Sequence, residues 1–146
     1  MGNDRLNTLS IIIYDGHFDK IHYALAMASA AAAIDTKVTL FFTMDAARAL
    51  MVGPDRNPAW RGLPVSQGDD QNGGEMDDYF FEQSIGTFED LLSACVEMGV
   101  SIMVCEMGLK ARNLSAQALR NDIPVTPGGL VTFLSNASKN GSVVFV

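Results

Sequence analysis

Apolar residues along the chain fall into short continuous runs separated by stretches of helical period. Leu9-Ser10-Ile11-Ile12-Ile13-Tyr14 is β-branched, almost continuously apolar, and stops at Asp15-Gly16. Such a run predicts a strand covered on both faces, as in a parallel sheet. From His17 to Ile34, the positions Ile21, Ala24, Leu25, Ala28 and Ala32 recur at three- and four-residue steps and define one face of a helix. Its alanines suit close approach to a sheet. Lys37 to Phe42 predicts a second strand, followed by Thr43-Met44-Asp45 and a short helical segment to about Leu50.

The pattern then breaks. Residues 52–79 carry Gly53, Pro54, Pro58, Gly62, Pro64, Gly68, Gly73 and Gly74 with almost no periodic hydrophobicity, and they predict a long loop. Ordinary connections are about 4–6 residues, so a loop of this length is functional or mobile. Helical spacing returns from Ser84 to Met98 through Ile85, Phe88, Leu92 and Cys95, with Gly99 just past the end. Ser101 to Cys105 predicts the third strand. Leu109 to Arg120 reads as a further helix or two short ones, and Asp122 to Val125 as a brief strand. Thr126-Pro127 opens a helix with a capping hydroxyl and a proline of suitable φ. Leu130, Phe133, Leu134 and Ala137 follow on one face, Asn140-Gly141 ends that helix, and Ser142 to Val146 is a last strand. The alternation predicts an α/β fold with a mainly parallel sheet of about five strands, as one domain over residues 1–146.

Composition narrows the function classes. With 48% hydrophobic and 18% charged residues, the 146-residue chain can bury a core without disulfides or a structural metal. A net charge of −7 argues against nucleic acid and anionic membrane surfaces, which are bound by clustered Lys and Arg. The charge is uneven: ten carboxylates and no Lys or Arg lie between Arg61 and Lys110, whereas the rest of the chain holds all ten basic residues against seven acids. The longest near-apolar run, Tyr23 to Ile34, falls short of the roughly 20 residues that span a bilayer. Two cysteines are too few for a secreted disulfide framework and point to a reducing, cytoplasmic setting.

Functional groups in parallel sheets gather where strands end at their carboxyl edge. Three such ends carry useful residues: Asp15-Gly16-His17, Thr43-Met44-Asp45 and Cys105-Glu106-Met107-Gly108. Cys95 shares an apolar helix face with Phe88 and Leu92 and reads as a buried hydrophobe. Cys105 lies at a strand-to-helix turn, where a thiol can be exposed and can feel the positive end of the next helix, while Glu106 opposes that effect. A strand's length of more than about 10 Å separates the two cysteines, too far for a disulfide. His17 and His22 bracket the first turn of the first helix and are candidates to assist Cys105. Their structural alternatives are a solvated helix-start residue and a buried, hydrogen-bonded one.

No metal set is recognisable. The cluster from Asp69 to Asp78 lacks the spacing of a calcium loop and reads as a solvated acidic loop. Thr126-Pro127-Gly128-Gly129 offers free N–H groups for a small anion at a helix start. Phosphate-loop, dinucleotide and nucleophile-elbow fingerprints are absent.

The segments Ile11 to Leu25, Val38 to Met44, Met103 to Leu109 and Gly128 to Leu134 together resemble the DsrE/DsrF-like sulfur-relay family, in order and over nearly the whole chain. The resemblance implies a three-layer α/β/α fold, assembly into homo-trimers or hexamers, and a cysteine that accepts sulfane sulfur as a persulfide and passes it on. No cofactor is implied. Cys105 stands at the family's cysteine position, with Asp15, Gly16, Thr43, Met44, Glu106, Met107 and Gly108 around it as candidate ligand-binding residues and His22 and His17 as candidate helpers. The implied partner is a small sulfur-carrier protein, as donor or acceptor. Glu106-Met107-Gly108 departs from the Ala- and Arg-rich helix starts common in the family, and the long acidic loop is not general to it. That acidic stretch predicts a docking surface for a basic partner beside Cys105. The alternatives are a non-catalytic oligomeric module binding a small anion or nucleotide at the carboxyl-edge cleft, and a peroxide-reducing thiol protein. The last lacks a resolving cysteine in reach.

Overall fold

The structure, a computed structural model, describes residues 7–67, 71–137 and 140–146. Asp69 and Asp70, part of the predicted acidic loop, lie outside the described residues. Five strands form one sheet in the order β4-β3-β2-β1-β5: β1 Thr8–Ile13, β2 Lys37–Phe42, β3 Ser101–Cys105, β4 Thr126–Gly128 and β5 Ser142–Phe145. All four pairings are parallel. Helices lie on both faces, so the architecture is the expected three-layer α/β/α arrangement.

The two faces differ in how they are covered. Leu9, Ile11 and Ile13 of β1, Val38, Leu40 and Phe42 of β2, and Ile102 of β3 share the main core with helix α1, Phe18–Ala33, and helix α3, Phe88–Glu97. Ala24 and Ala28, both fully buried, let α1 lie close to the strands. The alternate residues Ile12, Phe41, Met103 and Cys105 point the other way. They meet only Phe133 of the short helix α5, Leu130–Ser135, in a separate small cluster.

Three expectations need correction. Residues 52–79 are not a featureless loop: they hold a 3₁₀ turn, Ala59–Gly62, and most of helix α2, Gly73–Glu82. Trp60 anchors the segment, stacking on Phe88 at 4.6 Å and Phe18 at 5.6 Å between ring centroids. Asn72 and Glu75 close a capping box at the start of α2. The two glycines that disguised this helix are there for space, since a Cβ on Gly73 would run into the Trp60 carbonyl and the Phe18 ring. Second, Thr126-Pro127-Gly128 is strand β4 and not a helix start; as an edge strand it tolerates the proline that a central strand would reject. Gly129 precedes α5 instead, and of the predicted helix face only Phe133 is buried, Leu130 and Leu134 being exposed. Third, Asp122 to Val125 forms no strand; Ile123 and Val125 pack on the core and Asp122 pairs with Arg120. The predicted helix from Leu109 to Arg120 resolves into α4, Glu106–Ala111, and a 3₁₀ turn, Ala116–Ala118.

Among the described residues no helix is long and apolar enough to cross a membrane.

Candidate functional site

The three carboxyl-edge segments do come together. A Cβ on Gly16 would lie 2.6 Å from Asp45 Cβ, and one on Gly108 would lie 2.5 Å from both Met44 N and Thr43 Oγ1. The turn after β1 therefore abuts the turn after β2, which in turn abuts α4. Met44 adopts a left-handed backbone (φ 51°), a conformation unusual for a residue with a side chain, at the point where Gly108 approaches. Asp45 ties the same elements by charge, accepting from Arg48 Nε at 3.1 Å and pairing with Arg112, whose Nε lies 3.2 Å away. At these glycines the turns are in direct contact and leave no cleft between them.

Cys105 closes β3 and is the residue before α4, yet it is only 1% exposed. The expected exposed thiol at the turn is thus enclosed. Strand alternation is the reason: Val104 points toward the main-core side, where it joins Leu109 and Ala47, so Cys105 must point to the opposite face. There its sulfur lies among Phe41, Met103, Phe133 and Ile12. Its side chain forms no capping bond to α4. Phe133 stacks on Phe41 at 4.7 Å and is the only buried residue of α5, so one aromatic side chain holds the cover over the thiol.

Cys95 is fully buried in the main core, where its Sγ–H donates to the Leu25 carbonyl at 3.7 Å. Burial pushes its pKa up to about 11, so it stays a thiol at neutral pH. The two free cysteines occupy clusters on opposite faces of the sheet.

Neither histidine is brought to Cys105. His22 is buried on the α1 side, its Nε2 2.8 Å from the Gly86 carbonyl and its ring 4.6 Å from Phe80. The sheet lies between it and Cys105. His17 precedes α1 and holds Asp15, with Nδ1 at 2.5 Å and its backbone N–H donating at 2.8 Å to the same carboxylate oxygen. Burial works to raise the Asp15 carboxyl, but the His17 bonds and Lys20 at 3.2 Å outweigh it and hold its pKa below the usual value. Strand β2 separates the end of β1 from β3, a distance of about 10 Å at normal strand spacing. Glu106 and Met107 are exposed beyond the thiol, while Thr43 and Gly108 are buried in the contact between turns.

The acidic sector is not beside Cys105. Seven of its carboxylates sit on α2 and α3, which pack with α1 on the opposite face; among the described residues of the sector, Glu106 is the one that adjoins the thiol. The predicted acidic docking surface at Cys105 is therefore withdrawn. Among the described residues no group of three or more His, Cys, Asp or Glu is placed to hold a metal ion.

What sequence reasoning missed is the enclosure. The alternation Ile102, Met103, Val104, Cys105 is wholly apolar and does not announce which residue faces which layer, and the buried residue of α5 that covers the thiol lies 28 positions away.

A five-stranded parallel sheet with one thiol at the end of an inner strand, under a lightly held cover, defines a cysteine-bearing α/β protein with no second cysteine in reach. The model of the DsrE/DsrF-like family matches residues 9–145, and the chain belongs to that family. No curated protein matches it. Family membership supports a role in sulfur relay in coarse terms.

Proposed function

We propose that the protein carries sulfane sulfur as a persulfide on Cys105 and passes it to an acceptor protein thiol. The Cys105 thiolate attacks the outer sulfur of a donor persulfide, the S–S bond of the donor breaks, and the donor leaves as thiolate. Cys105–S–SH results. The acceptor thiolate then attacks the outer sulfur, and Cys105 is released as thiolate. Each step breaks one S–S bond and forms one, so no oxidant, metal or second cysteine is required. Neither His17 nor His22 takes part.

The observation that carries this reading is the placement of Cys105 at the carboxyl end of an inner strand, in an apolar cluster to which α5 contributes Phe133. Such surroundings shield a terminal sulfur from water and stray thiols between the two transfers. Access requires α5 to move, and a six-residue helix with one buried side chain is the element on this face best suited to do so. The carrier is read as a homo-oligomer, trimer or hexamer, exchanging sulfur with a small sulfur-carrier protein.

The test is the intact mass after incubation with a persulfide donor, before and after thiol reduction. Wild type and Cys95→Ser are expected to gain one sulfur that reduction removes, and Cys105→Ser to gain none. Equal loading of both variants, or none in wild type, overturns the reading.

A further inference from the structure

The residues facing α5 change character along the strands. Near the carboxyl ends they are Ile12, Phe41, Met103 and Cys105. One pleat earlier they are Ser10, Thr39 and Ser101, which the register sets side by side across the three central strands. One pleat earlier again, Thr8 stands beside Lys37. Faces of parallel sheets are ordinarily covered and apolar, so a row of three hydroxyls across the centre is not what packing asks for.

The row fronts a cavity of about 360 Å³, which Thr132 and Asn136, in and just after α5, also line. Ser10 is only 4% exposed, lines this cavity, and its hydroxyl forms no hydrogen bond with the described residues. Thr8 Oγ1, at the same wall, is buried with no hydrogen-bond partner. Buried polar groups are nearly always satisfied, so Thr8 Oγ1, packed against Gly141, is the one buried hydroxyl left without a partner among the described residues, and the Ser10 hydroxyl beside it is free to bond to an occupant of the cavity. Lys37 is the one charged side chain in the lining, and it makes no ion pair among the described residues. No carboxylate lines the cavity among the described residues.

We infer that this cavity binds a small tetrahedral oxyanion, either free or as the phosphoryl group of a compact metabolite. Lys37 supplies the charge, and the hydroxyls of Ser10, Thr39 and Ser101 donate to the anion oxygens, which only accept. Met103 lies in the wall of the cavity and in the cluster around Cys105, so the site adjoins the thiol without including it. The inference does not depend on persulfide chemistry.

Amide shifts of Ser10, Thr39 and Ser101 in the full chain, followed during titration with inorganic phosphate, glycerol 3-phosphate and glycerol, test it. Saturable shifts with phosphate are expected; tighter saturation by glycerol 3-phosphate identifies the phosphoryl metabolite as the source, and equal saturation identifies the free ion. Lys37→Met is expected to weaken phosphate binding about tenfold or more, and Ser10→Ala severalfold. Ser10→Ala removes a hydroxyl that bonds to none of the described residues, so its melting temperature without phosphate should match or exceed wild type. Cys105→Ser should bind phosphate as wild type does, which keeps a failure here distinct from a failure of sulfur loading. No saturable phosphate response, saturation by glycerol equal to that by phosphate, or wild-type affinity in both Lys37→Met and Ser10→Ala overturns the inference.

Discussion

The two cysteines differ in how they are enclosed. Both are almost inaccessible in the resting structure, but Cys95 lies in the main core between α1, α3 and the sheet, whereas Cys105 lies in a small cluster to which α5 contributes one phenylalanine, Phe133. Removing that ring should therefore act on access rather than on the fold. Phe133→Ala is expected to raise the alkylation rate of Cys105 by tenfold or more, since each 1.4 kcal/mol taken from the cost of opening multiplies the open population by about ten. Cys95, with its pKa near 11 and its place in the main core, should stay unreactive and serves as the internal report on folding. Peptide mapping after timed alkylation reads both sites; an unchanged Cys105 rate would show that α5 is not the cover. The different settings of Cys105 and Cys95, strand end against helix face, were legible in the sequence. The enclosure was not, because it depends on which way the last residue of β3 turns and on a side chain contributed from the far end of the chain.

At the scale of elements, the segment that looked like a Gly- and Pro-rich loop is a docked arm held by aromatic stacking and carboxylate acceptors. Trp60 Nε1–H donates to Glu89 at 2.7 Å, and Arg120 grips the same carboxylate with two bonds of 2.8 and 2.7 Å while also holding Asp122. Burial alone would raise the Glu89 carboxyl, yet these partners hold it below its usual value. Glu89→Ala leaves the buried Trp60 N–H without a partner and should cost about 1–3 kcal/mol of unfolding free energy, measured by denaturant titration; a loss below 0.5 kcal/mol, of the order of an ordinary surface substitution, would mean the arm is held by stacking alone. Asp77 joins α2 to α3 by accepting from the Phe88 N–H at 2.7 Å. Here burial dominates and raises the carboxyl above its usual value of 3.8. The native state then holds this proton more tightly than the unfolded chain, so the contribution of Asp77 to stability falls as pH rises from the unfolded value through the native one. Asp77→Asn keeps an acceptor for Phe88 and should be at least as stable as wild type at pH 7, with the gain fading as pH falls below 3.8. Thermal melts across pH check the sign, and a variant less stable at pH 7 refutes it. The capping signal Asn72-x-x-Glu75 was present in the sequence. It was obscured by Gly73 and Gly74, whose helix-weakening character is outweighed by the close approach of Trp60 and Arg61.

For the molecule as a whole, a mainly parallel sheet of about five strands followed from the apolar runs, but the strand order and the imbalance between faces could be seen only in three dimensions. One face carries α1, α2 and α3 with eight of the chain's 17 carboxylates; on the other, among the described residues, lies the six-residue helix α5. On that second face the register sets Val143 beside Ser10 and Phe145 beside Ile12, and both remain exposed, as do Val131 and Leu134 of α5. Monomers seldom leave apolar surface of this kind uncovered. Association through this face would bury it without bringing the acidic helices of neighbouring copies together, since those lie on the far side of the sheet. The expected solution mass is accordingly a multiple of the 15.7 kDa chain, little changed by salt because no large charged surface is apposed. Phe145 is 67% exposed, so Phe145→Glu should leave the fold intact while placing a charge in the contact. Light scattering is expected to show that variant shifted toward 15.7 kDa. Wild type running at the mass of one chain at tens of micromolar, or Phe145→Glu keeping the full assembly, would remove this face as the interface.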